Sequence, residues 1–149
     1  MQPIIERIDR QLIKAELSKE RFIRPTNSSN REIYIFDGNS APALMDEIGR
    51  LREEAFRKAG GGTGKSKDID NYDLGKFAYK QLIVWSPDDE EIVGGYRFIR
   101  VPDAIDAEGN YHLSTSEIVG YSEKLKSDFF PYTIELGRSF VQIMYQPSI

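Results

Sequence analysis

Apolar residues recur along this 149-residue chain with two different periods, and the switch between them outlines the fold. Over residues 4 to 17, Ile4, Ile5, Ile8, Leu12 and Ile13 share one helical stripe, with Glu6, Arg7, Asp9 and Arg10 elsewhere, which predicts an amphipathic first helix. The polar connector RPTNSSN ends it, and EIYIF reads as a short strand stopped by Asp37 and Gly38. Ser40 is placed as the N-cap, and Pro42 in the first turn, of a second helix in which Leu44, Ile48, Leu51, Ala55 and Phe56 recur until Gly60. FAYKQLIVW, a turn at SPDDE, and EIVGGYRFIRV predict strand, turn, strand. Ser114 to Lys126 predicts a helix capped by Ser114 or Thr115, and YTIELGRSFVQIMY a final strand. The resulting order is helix, strand, helix, strand, strand, helix, strand. That is an α+β fold around a mainly antiparallel sheet, and no internal repeat interrupts it.

Composition narrows the chemistry. A 40% hydrophobic content suits one compact domain with a core. The absence of cysteine excludes disulfides, thiolate nucleophiles and cysteine metal sites, and permits a reducing compartment. His112 is the only histidine, so a multi-histidine metal site is excluded and a histidine triad could use one residue alone. Apolar runs such as Leu82 to Trp85 are far too short to span a membrane, and the amino terminus lacks the pattern of a signal peptide. This predicts a soluble chain, peripheral to a membrane at most. Twenty basic against 24 acidic residues give a net charge of −4, which argues against a nucleic-acid partner.

The stretch AGGGTGKSKDID, residues 59 to 70, ends like a phosphate-binding loop, with Gly64, Lys65 and Ser66 in place. Ala59 occupies the position of the first glycine, however, a helix rather than a strand precedes the stretch, and acidic residues follow it. The reading is a glycine-terminated helix running into a mobile loop, with residues 60 to 67 poorly ordered.

Charges embedded in apolar patterns mark candidate chemistry. Arg52 lies four residues after Ile48 and four before Phe56, on the apolar stripe, so it either snorkels outward or is buried and paired. Arg97 stands inside GGYRFI, and Glu135 and Arg138 inside TIELGRSFV. Buried charges need partners, and the acids at hand are Glu135, Asp70 and Asp73. The network either fixes the fold or lines a charged cleft where an amine is bound and deprotonated.

LREEAF, the acidic pair in DIDNYD, IVGGYRFI and IELGRSFV occur in the order found in the hemolysin-like N-acyltransferases that make ornithine and glycine lipids, which residues 31 to 147 resemble. The chain is more distantly similar to acyl-homoserine-lactone synthases; both groups are GNAT-superfamily enzymes. The resemblance implies a single domain over 1–149, with a helical extension over 1–30 and a GNAT core portion over 31–149, truncated after the central strand. It implies acyl transfer from an acyl carrier protein or coenzyme A thioester to the α-amino group of a small amino acid, for aminolipid synthesis. Glu135, Arg138 and Asp73 would be catalytic, and Arg52, Arg97, Phe56 and Asp70 substrate-binding. No tightly bound cofactor or metal is implied, and the setting would be cytoplasmic, peripheral at the inner membrane face. Two alternatives stand beside this one: an autoinducer-type synthase, whose loop tryptophan is replaced here by glycines, and a non-catalytic binding module. In GNAT proteins the strand bearing E-L-G-R-S runs into a glycine turn and a helix that hold the donor, whereas this sequence stops at QIMYQPSI. The expectation is a chain with no useful affinity for coenzyme A, weak or absent activity alone, and an open sheet edge that favours self-association.

The chemistry implied needs neither cysteine nor histidine. An amine must be neutral to attack a thioester, and Glu135 would take its proton directly or through a water. Arg138 or Arg97 would hold an acceptor carboxylate, and the glycine loop would cover the site, with Lys65 and Lys67 either solvated or meeting an acidic carrier protein. In a regular strand Glu135 and Arg138 point to opposite faces. A shared face therefore requires an irregularity between Glu135 and Ser139, least costly at Gly137, with Glu135, Arg138, Arg52 and Asp73 converging on one cleft.

Overall fold

The computed structural model describes residues 1–147. Its centre is a five-stranded antiparallel meander of β1 (Phe22–Pro25), β2 (Glu32–Asp37), β3 (Lys80–Ser86), β4 (Glu91–Arg100) and β5 (Ile134–Val141), paired in chain order. Period-two alternation turns Tyr34, Phe36, Ile83, Trp85 and Ile92 to one face, where α2 (Pro42–Lys58) lays Leu44, Met45, Ile48 and Leu51 against them and α1 (Arg10–Glu16) adds Ile13. The opposite face is apolar but only half-buried: Ile33, Ile35, Leu82, Val84, Tyr96 and Phe98 are intermediate, and Leu136 and Ile134 are 62% and 55% exposed.

Tertiary contacts move several boundaries. The helix predicted over 4–17 is confined to Arg10–Glu16, and the residues before it are irregular and hydrogen-bond to the glycine loop. Gln2 donates its backbone N–H to the Gly64 carbonyl, and Ile5 donates to that of Ser66. Residues 22–25, within the stretch predicted as a helical extension, form β1 and pair with β2. Ser40 does not cap α2. Its hydroxyl donates to the Asp37 carbonyl, and the Glu16 carboxylate reaches across from α1 to accept the N–H groups of Ala43 (3.1 Å) and Leu44 (2.8 Å). An anion at a helix N-terminus answers both the orphan donors and the dipole.

The helix predicted from Ser114 to Lys126 is broken into a 3₁₀ turn (Ser114–Glu117) and α3 (Glu123–Asp128), separated by a segment containing Gly120. This excursion has its own core of Tyr79, Ile99, Val101, Ala104, Leu113 and Phe130. The Tyr111 and Tyr121 rings meet Phe130 edge-on at 4.8 and 5.0 Å.

The glycine loop is folded around a carboxylate. Gly60, at φ +82°, lies just past the end of α2, and the fully buried Glu53 accepts the N–H groups of Thr63 (3.0 Å) and Gly64 (2.8 Å), the Thr63 hydroxyl and Arg57 Nε (2.6 Å). Amides that would cradle a phosphate are thus occupied by the protein's own anion, and the pinned loop differs from the open, mobile cover predicted for residues 60–67.

Candidate active site

The site begins with the irregularity in β5. Between the pairs Gly95–Phe140 and Arg97–Gly137, β4 advances two residues and β5 three. The bulge lies where the sequence places it, but the left-handed residue is Arg138, at φ 51°, not Gly137. The extra residue lets Phe140 return to the core while the Arg138 side chain reaches the segment between α2 and β3.

That segment, residues 68 to 73, lies against α2 because Gly49 has no side chain. A Cβ there would stand 2.7 Å from Ile69 Cγ1, and the adjacent Asp68 N–H donates to the Gly49 carbonyl at 2.9 Å. Three aspartates are thereby presented to three arginines. Arg52, with no exposed surface, donates through Nη1 to Asp73 Oδ1 (2.9 Å) and through Nη2 to Gln81 Oε1 (2.7 Å). Arg97 Nη1 donates to Asp70 Oδ1 (2.6 Å) and stands 3.1 Å from Asp73 Oδ2. Its guanidinium also lies over the Tyr79 and Tyr72 rings, at 5.1 and 5.5 Å from their centroids. Arg138 donates through Nη2 to Asp70 Oδ2 (3.2 Å) and holds Nε 3.2 Å from Asp68 Oδ2.

The electrostatics follow from this pairing. Burial pushes the Asp70 carboxyl up, but the Arg97 hydrogen bond and charge, with help from Tyr72 N–H and Arg138, hold it below its ordinary value. Asp68 is 1% exposed, its Oδ2 has no hydrogen-bond partner, and burial raises its pKa despite the charges of Arg138 and Arg52. Burial lowers Arg52, while Asp70 and Asp73 outweigh burial at Arg97 and raise it.

Glu135 stands beside this network, not within it. Its Oε1 accepts from the Tyr79 hydroxyl and from Ser114 N–H (3.0 Å) and Oγ (2.6 Å), and its Oε2 accepts from the Thr115 hydroxyl. Burial opposes ionisation, yet these donors hold the carboxyl below its ordinary range. A cleft of about 270 Å³ opens between the two groups, lined by Asp70, Tyr72, Arg97, Ser114, Thr115 and Arg138 among others. Arg138, with 37% of its side chain exposed, faces it, while Arg52 and Asp73 support it from behind. Phe56 packs against the main core instead of lining this cleft.

Five further residues contribute to the site, three with a readable signal and two without. Gln81 and Tyr79 occupy inward positions in step with Ile83 and Trp85, where a polar side chain asks for a partner. Asp68 sits in the same acidic run as Asp70. Ser114 and Thr115 carry no periodic mark and read only as a helix cap.

A bulged strand in an α+β domain, with buried arginine–aspartate pairs beneath a small open cleft, gives a charged cleft of a size and polarity that suit a small charged molecule. No cluster of three or more side chains suited to a metal ion occurs among the described residues, and none of their helices is long and apolar enough to cross a membrane. A family model for the acetyltransferase (GNAT) domain matches residues 51–148, and the chain belongs to that family. Over 147 residues it is 52% identical to a glycine N(alpha)-acyltransferase of Bacteroides thetaiotaomicron and 49% identical to one of Phocaeicola vulgatus. Each match covers 98% of this chain but 44% and 45% of those proteins, so the chain spans less than half the length of the relatives it matches. No solved structure matches it.

Proposed function

We propose that this domain binds the amino-acid acceptor of an N-acyltransferase and directs its α-amino nitrogen toward an acyl thioester. The observation that carries this reading is the cleft itself, with the half-exposed Arg138 guanidinium on one side and the Glu135 carboxylate, behind Ser114 and Thr115, on the other. Arg138 takes the acceptor carboxylate, and the acceptor ammonium lies on the Glu135 side. Loss of one N–H proton toward Glu135 leaves a neutral amine. Its nitrogen attacks the thioester carbonyl, the C–S bond breaks, and an amide forms as the nitrogen gives up a second proton to solvent, while the departing thiolate takes up the proton held by Glu135. The bulge in β5 takes backbone amides out of the ladder, where they can stabilise the oxyanion.

Glycine is the acceptor that the names of the two relatives state, and it suits a cleft of this size. The donor is a fatty acyl thioester of acyl carrier protein or coenzyme A. The product is an N-acyl amino acid made for aminolipid synthesis in the cytoplasm, at the inner membrane face. The ion pairs of Arg52 and Arg97 with Asp73 equally suit a non-catalytic module in which the charges only hold the fold. One experiment separates the two. The whole encoded protein is incubated with acyl carrier protein and coenzyme A thioesters and a panel of amino acids, and products are read by mass. N-acyl glycine is expected. Absence of any N-acyl amino acid favours the module.

A further inference from the structure

We propose that Thr115 is a further catalytic residue of this cleft, its hydroxyl relaying a proton from the acceptor ammonium to Glu135 while Ser114 clamps that carboxylate in place. The inference rests on the acyl-transfer reading above. Glu135 is not among the residues that line the cleft; Ser114 and Thr115 are, so a molecule in the cleft meets the Thr115 hydroxyl before it meets the carboxylate.

The hydrogen-bond inventory gives the relay its direction. Thr115 has one hydroxyl proton, and it is donated to Glu135 Oε2. The Tyr121 hydroxyl, 2.6 Å from Thr115 Oγ1, is therefore the donor in that pair, which leaves one Oγ1 lone pair open. Glu135 Oε1 is occupied by Tyr79 and by both donors of Ser114, so Oε2 is the oxygen with room for a proton. An ammonium N–H donated to Oγ1 completes the chain. As that proton moves onto Oγ1, the Thr115 proton moves onto Oε2. Ammonium and carboxylate become amine and carboxylic acid, and threonine is unchanged. The thiolate released from the donor takes up that proton afterwards, and the second proton the nitrogen loses as the amide forms passes to solvent.

A purely structural role does not account for Thr115. The two Ser114 bonds to Glu135 and the Tyr72 hydroxyl donated to Glu117 at 2.8 Å already hold the 3₁₀ turn, and Thr115 is exposed. The titratable and charged groups around Glu135 are Tyr79 just before β3, Tyr121 and Glu117 on the 114–121 segment, Arg97 above the Tyr79 ring, and Asp70 and Arg138 across the cleft. Losing the Thr115 donor raises the Glu135 carboxyl from its depressed value, so the acid limb of the rate profile moves to higher pH.

The test compares Thr115→Val and Thr115→Ser with wild type in the whole encoded protein, with glycine and an acyl thioester across the pH range. Thr115→Val is expected to lower kcat by about tenfold or more, with the KM for glycine nearly unchanged and the acid limb displaced upward, while Thr115→Ser keeps both. Unchanged kcat and pH profile in Thr115→Val, or a change confined to KM, overturns the relay. A proton inventory on the wild type needs no variant: two protons in flight bend the plot, and a straight line overturns the proposal. Wild-type protein that acylates no amino acid defeats the acyl-transfer reading itself, a distinct result.

Discussion

Arg138 holds a left-handed backbone, φ 51°, at the β5 bulge, a conformation that costs a residue with a Cβ about 1–2 kcal/mol. The strain is offset by the ion pairs its guanidinium makes with Asp68 and Asp70. Truncation should expose it. Arg138→Ala loses the pairs and keeps the strain, whereas Arg138→Gly loses both, so the glycine variant should be the more stable by up to about 1 kcal/mol despite its extra unfolded-state entropy. Denaturant melts that rank alanine above glycine would contradict this. At this scale the site was largely legible. Arg52, Arg97, Glu135 and Arg138 each break an apolar period, and buried charge has few ways to be satisfied. Which acid serves which arginine was not legible, because pairing depends on how residues 68–73 lie on α2, and that rests on the missing side chain of Gly49.

The glycine loop shows what an element owes to one buried group. Burial disfavours the Glu53 anion, but Thr63, Arg57 and the loop amides bring its carboxyl from 4.5 to about 2. A depressed folded value stabilises the fold fully above the unfolded value near 4.5, and the contribution is lost as pH falls toward 2. Glu53→Gln removes that dependence. Urea melts from pH 5 down to 2.5 should show wild type losing stability more steeply than the variant, and parallel slopes would refute the assignment. The types of β2, β3 and α2 were readable from period alone, since the two strands alternate and the helix repeats its stripe, whereas β1, exposed at every position, carries no period. Boundaries were not, because long-range partners set them: Glu16 caps α2 from another helix, and the glycine loop takes the backbone N–H groups of residues 2 and 5.

For the molecule as a whole, the half-buried sheet face and the outward residues of β5, Leu136 at 62% exposed and Val141 at 47%, form an apolar surface larger than scattered exposure requires. We propose that residues 1–149 taken alone self-associate through it. Sedimentation should show concentration-dependent mass that falls in Leu136→Lys, and a strictly monomeric wild type at high concentration would contradict it. The central claim concerns the cleft, which assigns the acceptor carboxylate to Arg138 and the acceptor proton to Glu135. Steady-state kinetics of glycine acylation by the whole encoded protein test both at once. Arg138→Gln is predicted chiefly to raise the KM for glycine, and Glu135→Gln chiefly to lower kcat, by about a hundredfold or more. Near-wild-type kinetics in both folded variants would contradict the account.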